Sequence, residues 1–271
     1  MTDPRFAGVE RLYGAGSVAK LARARVAVIG LGGVGSWSAE ALARSGVGSL
    51  ALIDADEVCV SNTNRQLHTL ESTLGRSKVL VMAERLRAIN PALVVQPVQR
   101  FVTPDSITEL LDAGFDLVLD ACDAFRVKVE MTAWCRRRKL PLLVCGSAGG
   151  RSDATLIRVR DLSRTEHDAL LGLMRRKLRQ EFNFPKNPAR YFGVPAVYSL
   201  ENVRYPQPDG SVCGLRPGAT ANGGARLGCE GGLGAATHVT ATFGMVAAGR
   251  VLQMLLARPT GSESPSRETA E

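Results

Sequence analysis

A glycine-rich turn stands between a predicted strand and a predicted helix near the N-terminus. The β-branched run RVAVIG (Arg25–Gly30) leads into it, and Gly30, Gly32, Gly33 and Gly35 lie within six residues. Glycines at such a junction admit a phosphate to the backbone N–H groups at the start of a helix. The pattern indicates a nucleotide site, but it suits NAD, FAD and ATP equally well. A purely structural glycine turn is the alternative.

Polar side chains follow this turn at four further points of the chain. Asp54 ends the next predicted strand, where a carboxylate can accept a ribose hydroxyl. The other points are Asn64-Arg65-Gln66, Lys78, and Asp120 with Asp123. Cations and a metal lower the barrier when a carboxylate attacks a phosphorus atom, because negative charge builds up on oxygens that are already anionic. A dehydrogenase has no use for this series.

Each of these residues also has a structural interpretation when it is taken singly. Arg65 or Lys78 alone would be interpreted as a solvated surface cation, since most such side chains are exposed. Asp120 alone would be interpreted as a strand-end residue that caps the next helix. The order and spacing of the whole series favour a site.

Alternating strands and helices would hold these residues at one edge of a sheet. The predicted strands are Arg25–Gly30, Ser49–Asp54, Leu93–Val98, Asp116–Asp120, Pro141–Cys145 and Ala154–Val159, and the predicted helices are Ser36–Gly46, Ser77–Ile89, Val127–Lys139 and Thr165–Phe182. This alternation predicts an α/β fold with a Rossmann-like, doubly wound, mainly parallel sheet and a C-terminal extension. Ligands of such a sheet gather at the carboxyl ends of its strands.

The composition of the chain indicates what kind of partner, metal site and location to expect. The 271 residues carry a formal net charge of +8, which suits a polyanionic partner. The six cysteines form no CxxC pair, so no zinc is expected, and a reduced cytoplasm is the simplest location. The apolar stretch 233–257 is interrupted by His238 and Arg250, which favours a buried helix over a membrane span.

In order and spacing, the glycine turn and the four polar points resemble the ubiquitin-activating-enzyme-like adenylating family, which includes bacterial activators of the molybdopterin and thiamine pathways. The resemblance covers roughly residues 5–150. It implies ATP, cleaved between its α- and β-phosphates, with Gly33 against the phosphates and Mg²⁺ on Asp123. It assigns catalysis to Arg65, Lys78 and Asp123, and nucleotide binding to Gly30, Gly32, Gly33, Gly35, Asp54, Asn64, Arg65, Gln66, Lys78, Asp120 and Asp123.

Other stretches extend the resemblance to nearly the whole chain and to a branch of the family that acts on tRNA. They are Arg5–Gly14, Val58–His68, FVTPD (Phe101–Asp105), Tyr205–Cys213 and 232–244. That branch uses ATP to activate the carboxylate of threonylcarbamoyladenosine beside the anticodon; the carbamoyl nitrogen then closes a ring, AMP leaves, and one water is lost overall. The resemblance implies a tRNA substrate and a homodimer. A monovalent cation and a sulfur-relay or cysteine desulfurase partner are further expectations.

Basic residues supply a candidate surface for tRNA. Residues 158–190 carry a local excess of +5. The candidate tRNA-binding residues are Arg136, Arg137, Arg138, Arg175, Arg176 and Arg179. Such cations would position the nucleic-acid backbone and make binding sensitive to salt, without reading bases. The alternative is a set of solvated helix faces.

Two other functions stay open at this point. One is the adenylation of the C-terminus of a small sulfur-carrier protein, and the other is a nicotinamide-dependent oxidoreductase. The missing CxxC pairs and the positive charge favour a nucleic acid over a carrier protein. A thioester at Cys213 or Cys229 is not required, since the nucleophile is already tethered to the substrate.

Two positions depart from the family pattern. Gly8 stands where the sulfur-carrier activators have an arginine that is thought to reach ATP across a dimer, so Arg5 or Arg11 would have to serve instead. Ala124 stands where the family often has asparagine, and an alanine side chain cannot make the asparagine's contact with the nucleotide.

The chain is predicted to have four parts. They are a helical segment 1–24, an ATP-binding core 25–150, a C-terminal part of the same domain 151–257, and a disordered tail 258–271. The third part holds the basic helix, a glycine-rich loop over Asp209–Gly232 and the final buried helix.

Overall fold

The computed structural model describes residues 3–215 and 233–258. The strands are β1 (Arg25–Ile29), β2 (Ser49–Ile53), β3 (Val94–Val98), β4 (Leu117–Asp120), β5 (Leu142–Cys145), β6 (Ile157–Asp161), β7 (Pro195–Ser199), β8 (Tyr205–Pro206) and β9 (Val212–Cys213). The helices are α1 (Ala7–Tyr13), α2 (Ser17–Leu21), α3 (Gly35–Arg44), α4 (Lys78–Ile89), α5 (Ile107–Leu111), α6 (Phe125–Arg137), α7 (Ala169–Glu181) and α8 (Thr237–Ala257). β8 and β9 form a separate antiparallel hairpin.

The central sheet has seven strands in the order β3-β2-β1-β4-β5-β7-β6. All neighbours are parallel except β6, which runs antiparallel to β7. The chain winds outward from β1 to β3 and then returns to continue on the other side at β4. The direction of winding therefore changes between β1 and β4, which is where such sheets bind ligands. The predicted Rossmann-like, mainly parallel fold is confirmed.

The core lies on both faces of the sheet because alternate side chains of each strand point to opposite sides. In β1, Val26 and Val28 belong to the apolar cluster under α3, α4 and α8. Ala27 and Ile29 belong to the cluster under α6 and α7. Burial on both faces explains why these strands are continuous apolar runs in the sequence.

Helix α8 is long and apolar enough to cross a membrane by length and composition alone. Half of its most apolar window is buried, and Phe243, Ala247 and Val251 pack into the core on one face of the sheet. Gly244 permits a close approach to α3, because a Cβ there would lie 2.7 Å from the carbonyl oxygen of Val34 just before that helix. The apolar composition of α8 is thus used for packing against α3.

Several elements differ from the sequence predictions. The predicted strand Ala154–Val159 begins as a 3₁₀ turn, and strand β6 spans Ile157–Asp161. The predicted helix Thr165–Phe182 begins only at Ala169, because the Asp168 carboxylate caps it by accepting from Leu171 N at 2.9 Å. Helix α5 and strands β7, β8 and β9 were not predicted. Most of the predicted glycine-rich loop (216–232) and of the tail (259–271) lies outside the described residues.

Candidate nucleotide-binding site

A cavity of about 700 Å³ opens at the carboxyl ends of β1, β2, β4 and β5. Eight of the predicted site residues line it: Gly30, Gly32, Gly33, Asp54, Arg65, Gln66, Lys78 and Asp123. Gly35, Asn64 and Asp120 do not line it but hold residues that do. The structure therefore brings the glycine turn and the four polar points together at one cavity.

The glycines of the turn serve packing and access in different ways. Gly30 has φ +84°, and a Cβ there would lie 2.9 Å from the backbone of Cys122. A Cβ on Gly35 would overlap the carbonyl oxygen of Gly30. Gly32 faces open space, since a Cβ there would lie 4.0 Å from its nearest heavy atom, Gln66 Nε2. Gly30 and Gly35 thus let β1, α3 and the β4–α6 loop pack, while Gly32 leaves room for a ligand.

Asp54 lies at the end of β2 and faces the turn. Its Oδ2 accepts from Leu31 N at 2.6 Å, and its Oδ1 accepts from Asp56 N at 2.8 Å. These bonds fix the carboxylate at the cavity wall. Each carboxylate oxygen has a second lone pair, so Asp54 can still accept a ribose hydroxyl.

Lys78 is a cation held almost out of solvent at the first residue of α4. Its side chain is 6% exposed, and its Nζ donates to Asp56 Oδ2 at 2.8 Å. Asp56 is itself half exposed, so its carboxylate is well solvated. The ion pair with Asp56 therefore holds the ammonium group of Lys78 on the cavity wall.

Arg65 is oriented by neighbouring residues in the sequence and, through Asn64, by residues at the start of α8. Its guanidinium donates to Ser61 O at 2.7 Å and to Asn64 Oδ1 at 2.9 Å. Asn64 Nδ2 donates to Ala235 O at 2.8 Å, and the Thr237 hydroxyl donates to Asn64 O at 2.6 Å. Asn64 therefore acts here through Arg65, and the start of α8 supports both residues.

Asp120 is fully buried behind the cavity. Its Oδ1 lies 2.9 Å from Lys128 Nζ and accepts from Cys122 N at 3.2 Å. Burial alone would lower the pKa of Lys128, but the charge of Asp120 raises it above its ordinary value. Lys128 also donates to Cys122 O at 2.9 Å. This ion pair holds the β4–α6 loop, which carries Asp123.

Asp123 is exposed on the cavity wall at the end of that loop. Within residues 3–215 and 233–258, no three His, Cys, Asp or Glu side chains are grouped closely enough to bind a metal ion by themselves. Mg²⁺ does not need such a group, because it commonly keeps several waters and binds one or two carboxylates together with substrate phosphates. An exposed carboxylate in the same cavity as Lys78 and Arg65 fits that pattern.

Two cysteines on the cavity wall have opposite electrostatic surroundings. Hydrogen bonding with Ser61 lowers the pKa of the Cys59 thiol, and the charges of Lys78 and Arg65 lower it further. Burial raises the pKa of Cys122 well above its ordinary value, and the charge of Asp120 adds to this. Cys122 is thus an unreactive structural thiol.

The two cysteines considered for a thioester lie elsewhere. Cys213 is in β9 of the separate hairpin. Cys229 lies outside the described residues.

Parts of the wall were missed by the sequence predictions. They are Arg100–Val102 after β3, Gly146–Gly149 after β5, and Leu233, Ala235 and Thr240 at the start of α8. The first two follow predicted strands, so the rule that ligands gather at carboxyl ends would have found them. The third group lies in the stretch 232–244, which carries part of the family resemblance but to which no site residue was assigned.

His68 is buried beside the site and is 1% exposed. Neither ring nitrogen has a hydrogen-bond partner among the described residues. Burial, with a smaller contribution from the charge of Lys78, lowers the pKa of His68 to about 4. The folded protein therefore holds this imidazole neutral at ordinary pH.

We expect the neutral His68 to make stability depend on pH between about 6.5 and 4. In that window the unfolded chain binds a proton that the folded chain does not, so the free energy of unfolding falls as pH falls. The loss attributable to His68 is about 3 kcal/mol over the whole window. Urea unfolding at pH 7 and pH 4.5 measures it. His68→Gln should flatten the dependence, whereas replacement of the exposed His167 should not; equal slopes in both variants would contradict the prediction.

The six candidate tRNA-binding arginines lie on α6 and α7 and just past the end of α6. Arg136–Arg138 are at the end of α6 farthest from Asp123, about 20 Å along the helix. Arg138 pairs with Asp112 at 3.5 Å, and Arg179 stacks over Phe192. Arg175 donates to the Thr165 hydroxyl. Arg176 is exposed and has no hydrogen-bond or ion-pair partner among the described side chains.

The pattern that defines the ThiF family matches residues 7–269 of the chain. The chain belongs to the ThiF family. The predicted resemblance to adenylating enzymes is thereby confirmed. A relative, the tRNA threonylcarbamoyladenosine dehydratase of Escherichia coli, is 48% identical over 254 residues, which is 94% of each chain. A solved structure of the E. coli enzyme in complex with ATP matches with a TM-score of 0.81 at 43% identity, covering 93% of this chain and 94% of that chain.

Similarity to an adenylyltransferase of another kind covers less of the chain. The molybdopterin-synthase adenylyltransferase of Salmonella typhimurium is 42% identical over 120 residues, which is 44% of this chain and 48% of that protein. The chain therefore shares about half its length with that relative, and nearly all of it with the tRNA-modifying enzyme.

Proposed function

We propose that this protein uses ATP to dehydrate threonylcarbamoyladenosine next to the anticodon of tRNA. The proposal rests on the share of the chain that each similarity covers. The similarity to the E. coli dehydratase spans 94% of both chains, whereas the similarity to the molybdopterin-synthase adenylyltransferase spans less than half of either. The positive net charge of the chain favours the same choice, since tRNA is a polyanion.

The chemistry needs activation of a carboxylate. Adenylation by ATP converts the substrate carboxylate into a mixed anhydride with AMP, releasing pyrophosphate, and attack of the tethered carbamoyl nitrogen on the activated carbonyl then releases AMP. Lys78 and Arg65 place positive charge where negative charge builds up on phosphate oxygens, and they need little rearrangement because Asp56 and Asn64 already hold them. Asp54 orients the ribose. No cysteine nucleophile is required.

The proposal also covers the metal ion, the oligomeric state, the location and the partner proteins. Mg²⁺ on Asp123 is supported by its exposed carboxylate, which lines the same cavity as Lys78 and Arg65. A monovalent cation, a homodimer, a cytoplasmic location and a sulfur-relay or cysteine desulfurase partner follow from the family resemblance. No zinc is included, because the sequence has no CxxC pairs.

The proposed domain organisation keeps an ATP-binding core over 25–150 and a C-terminal part over 151–257. Both parts are assigned to one domain because β6 and β7, which belong to the second part, extend the same sheet. The start of α8 also lines the cavity that the first part builds.

Nucleoside mass spectrometry of tRNA treated with the purified protein and ATP tests the function. We expect threonylcarbamoyladenosine to lose one water. Asp123→Ala should abolish the loss, and Asp112→Ala, which removes an exposed acid outside the cavity, should not. An unchanged nucleoside, together with ATP–pyrophosphate exchange that depends on a sulfur-carrier protein, would establish the alternative function instead.

We expect Arg176→Glu to weaken tRNA binding, because this exposed arginine is available to contact phosphate. The affinity should fall several-fold at moderate salt, and the slope of its dependence on salt should decrease by about one, as for one lost phosphate contact. Filter binding at several salt concentrations measures both, and ATP binding should not change. Arg23→Glu, at another exposed arginine, is the control; equal effects of the two variants would refute the footprint on α7.

A further inference from the structure

Phe101 is an exposed aromatic side chain at the mouth of the nucleotide cavity. It is 71% exposed, and of the large apolar side chains that are exposed in the described parts of the chain it alone lines this cavity. Single exposed apolar residues are common on protein surfaces. An exposed aromatic face at the entrance to a site for a nucleotide is a more specific feature, because every base can stack on it.

The residues around Phe101 hold it in place. Arg100 donates through both guanidinium nitrogens to the Glu109 carboxylate on α5. Thr103 N donates to Ser106 Oγ at 2.9 Å, and Ser106 N donates back to Thr103 Oγ1 at 3.3 Å. Phe101 thus lies on a short segment whose neighbours on both sides make hydrogen bonds to α5 and to the turn before it.

The adenine of ATP has a more enclosed place in the same cavity. Ile53, Val102 and Val127 line the cavity and are buried or half-buried, so they offer the adenine an apolar place out of solvent. Phe101 faces outward beside this wall and keeps most of its surface in solvent. A second base, which arrives from outside, is the ligand that its position suits.

The proposed reaction supplies such a base. The carboxylate to be activated must reach the region of Arg65 and Lys78 inside the cavity. Its adenosine must therefore leave the stack of the anticodon loop, and proteins commonly hold unstacked RNA bases on aromatic side chains. We propose that Phe101 stacks on a base of the tRNA anticodon loop, the modified adenine or its neighbour, and thereby selects the substrate. This inference rests on the proposed function.

Steady-state kinetics of Phe101→Ala test the stacking. The KM for an anticodon stem–loop that carries threonylcarbamoyladenosine should rise about ten-fold, within the range for one lost base stack. The KM for ATP should stay within about two-fold. Phe101→Trp should retain the wild-type KM for the stem–loop, whereas Phe101→Leu should resemble Phe101→Ala. Leu80→Ala, which removes an exposed apolar side chain of α4 away from the cavity, is the control.

The other outcomes contradict the inference in distinct ways. A higher KM for ATP with an unchanged KM for the stem–loop would assign Phe101 to the adenine of ATP. Unchanged KM values for both, or a wild-type KM in Phe101→Leu, would exclude base stacking. If the wild-type protein removes no water from the nucleoside, the proposed function fails. Stem–loop binding by fluorescence anisotropy then decides the stacking separately, since Phe101→Ala must still weaken it.

Discussion

Replacing Lys78 with alanine should lower the rate of tRNA dehydration by about 10²- to 10³-fold, the loss typical for one preorganised group that stabilises transition-state charge. Lys78 is held on the cavity wall by one ion pair, with Asp56, and its side chain is almost fully out of solvent. Its charge acts more strongly there than it would in water. Single-turnover assays with saturating ATP and modified tRNA measure the chemical step directly.

Arg76→Ala is the matched control for Lys78→Ala. Arg76 is also a paired cation, two residues earlier, but it pairs with Glu84 on the surface and does not line the cavity. Its removal should change the rate by less than about two-fold and the stability by less than about 1 kcal/mol. A Lys78→Ala protein that keeps a tenth or more of the wild-type rate would remove Lys78 from the proposed mechanism.

Lys128→Met should destabilise the fold by about 3–5 kcal/mol, because it leaves the Asp120 carboxylate buried without its cation. Both side chains are fully buried, and their charged atoms lie 2.9 Å apart. Urea unfolding of the variant and the wild-type protein gives the difference. The double variant Asp120→Asn with Lys128→Met should be more stable than Lys128→Met alone, since it buries no unpaired charge.

An exposed ion pair at the end of the same helix gives the control for Lys128. Arg138 and Asp112 are 3.5 Å apart, and both side chains are more than half exposed. Arg138→Met should cost less than about 1 kcal/mol. If Lys128→Met costs no more than Arg138→Met, the buried pair does not hold the β4–α6 loop in the way described.

The sequence predicted the centre of the site because its residues occur in short motifs that directly follow strands. Gly30, Asp54 and Asp123 each come within a few residues of the carboxyl end of a parallel strand, and topology then brings those ends together. Arg65 and Lys78 were found by order and spacing. The sequence alone therefore predicted that these five residues line one site.

Side-chain direction was not predictable in the same way. Asp120 and Asp123 are three residues apart, yet one is buried against Lys128 and the other is exposed at the cavity. Only the packing of α6 against the sheet decides this, and a local pattern does not encode it. Strand β7 was missed for a similar reason, since its five residues follow a long irregular segment and become a strand only by pairing between β5 and β6.

The support that α8 gives to Arg65 has a consequence for protein synthesis. Ala235 and Thr237 bind Asn64 from a position more than 170 residues later in the chain. When the ribosome has made only the first two-thirds of the polypeptide, the glycine turn and Lys78 have been synthesised. Asn64, which orients Arg65, still lacks its hydrogen bonds to Ala235 and Thr237. Arg65 therefore gains this support only after the residues at the start of α8 have left the exit tunnel.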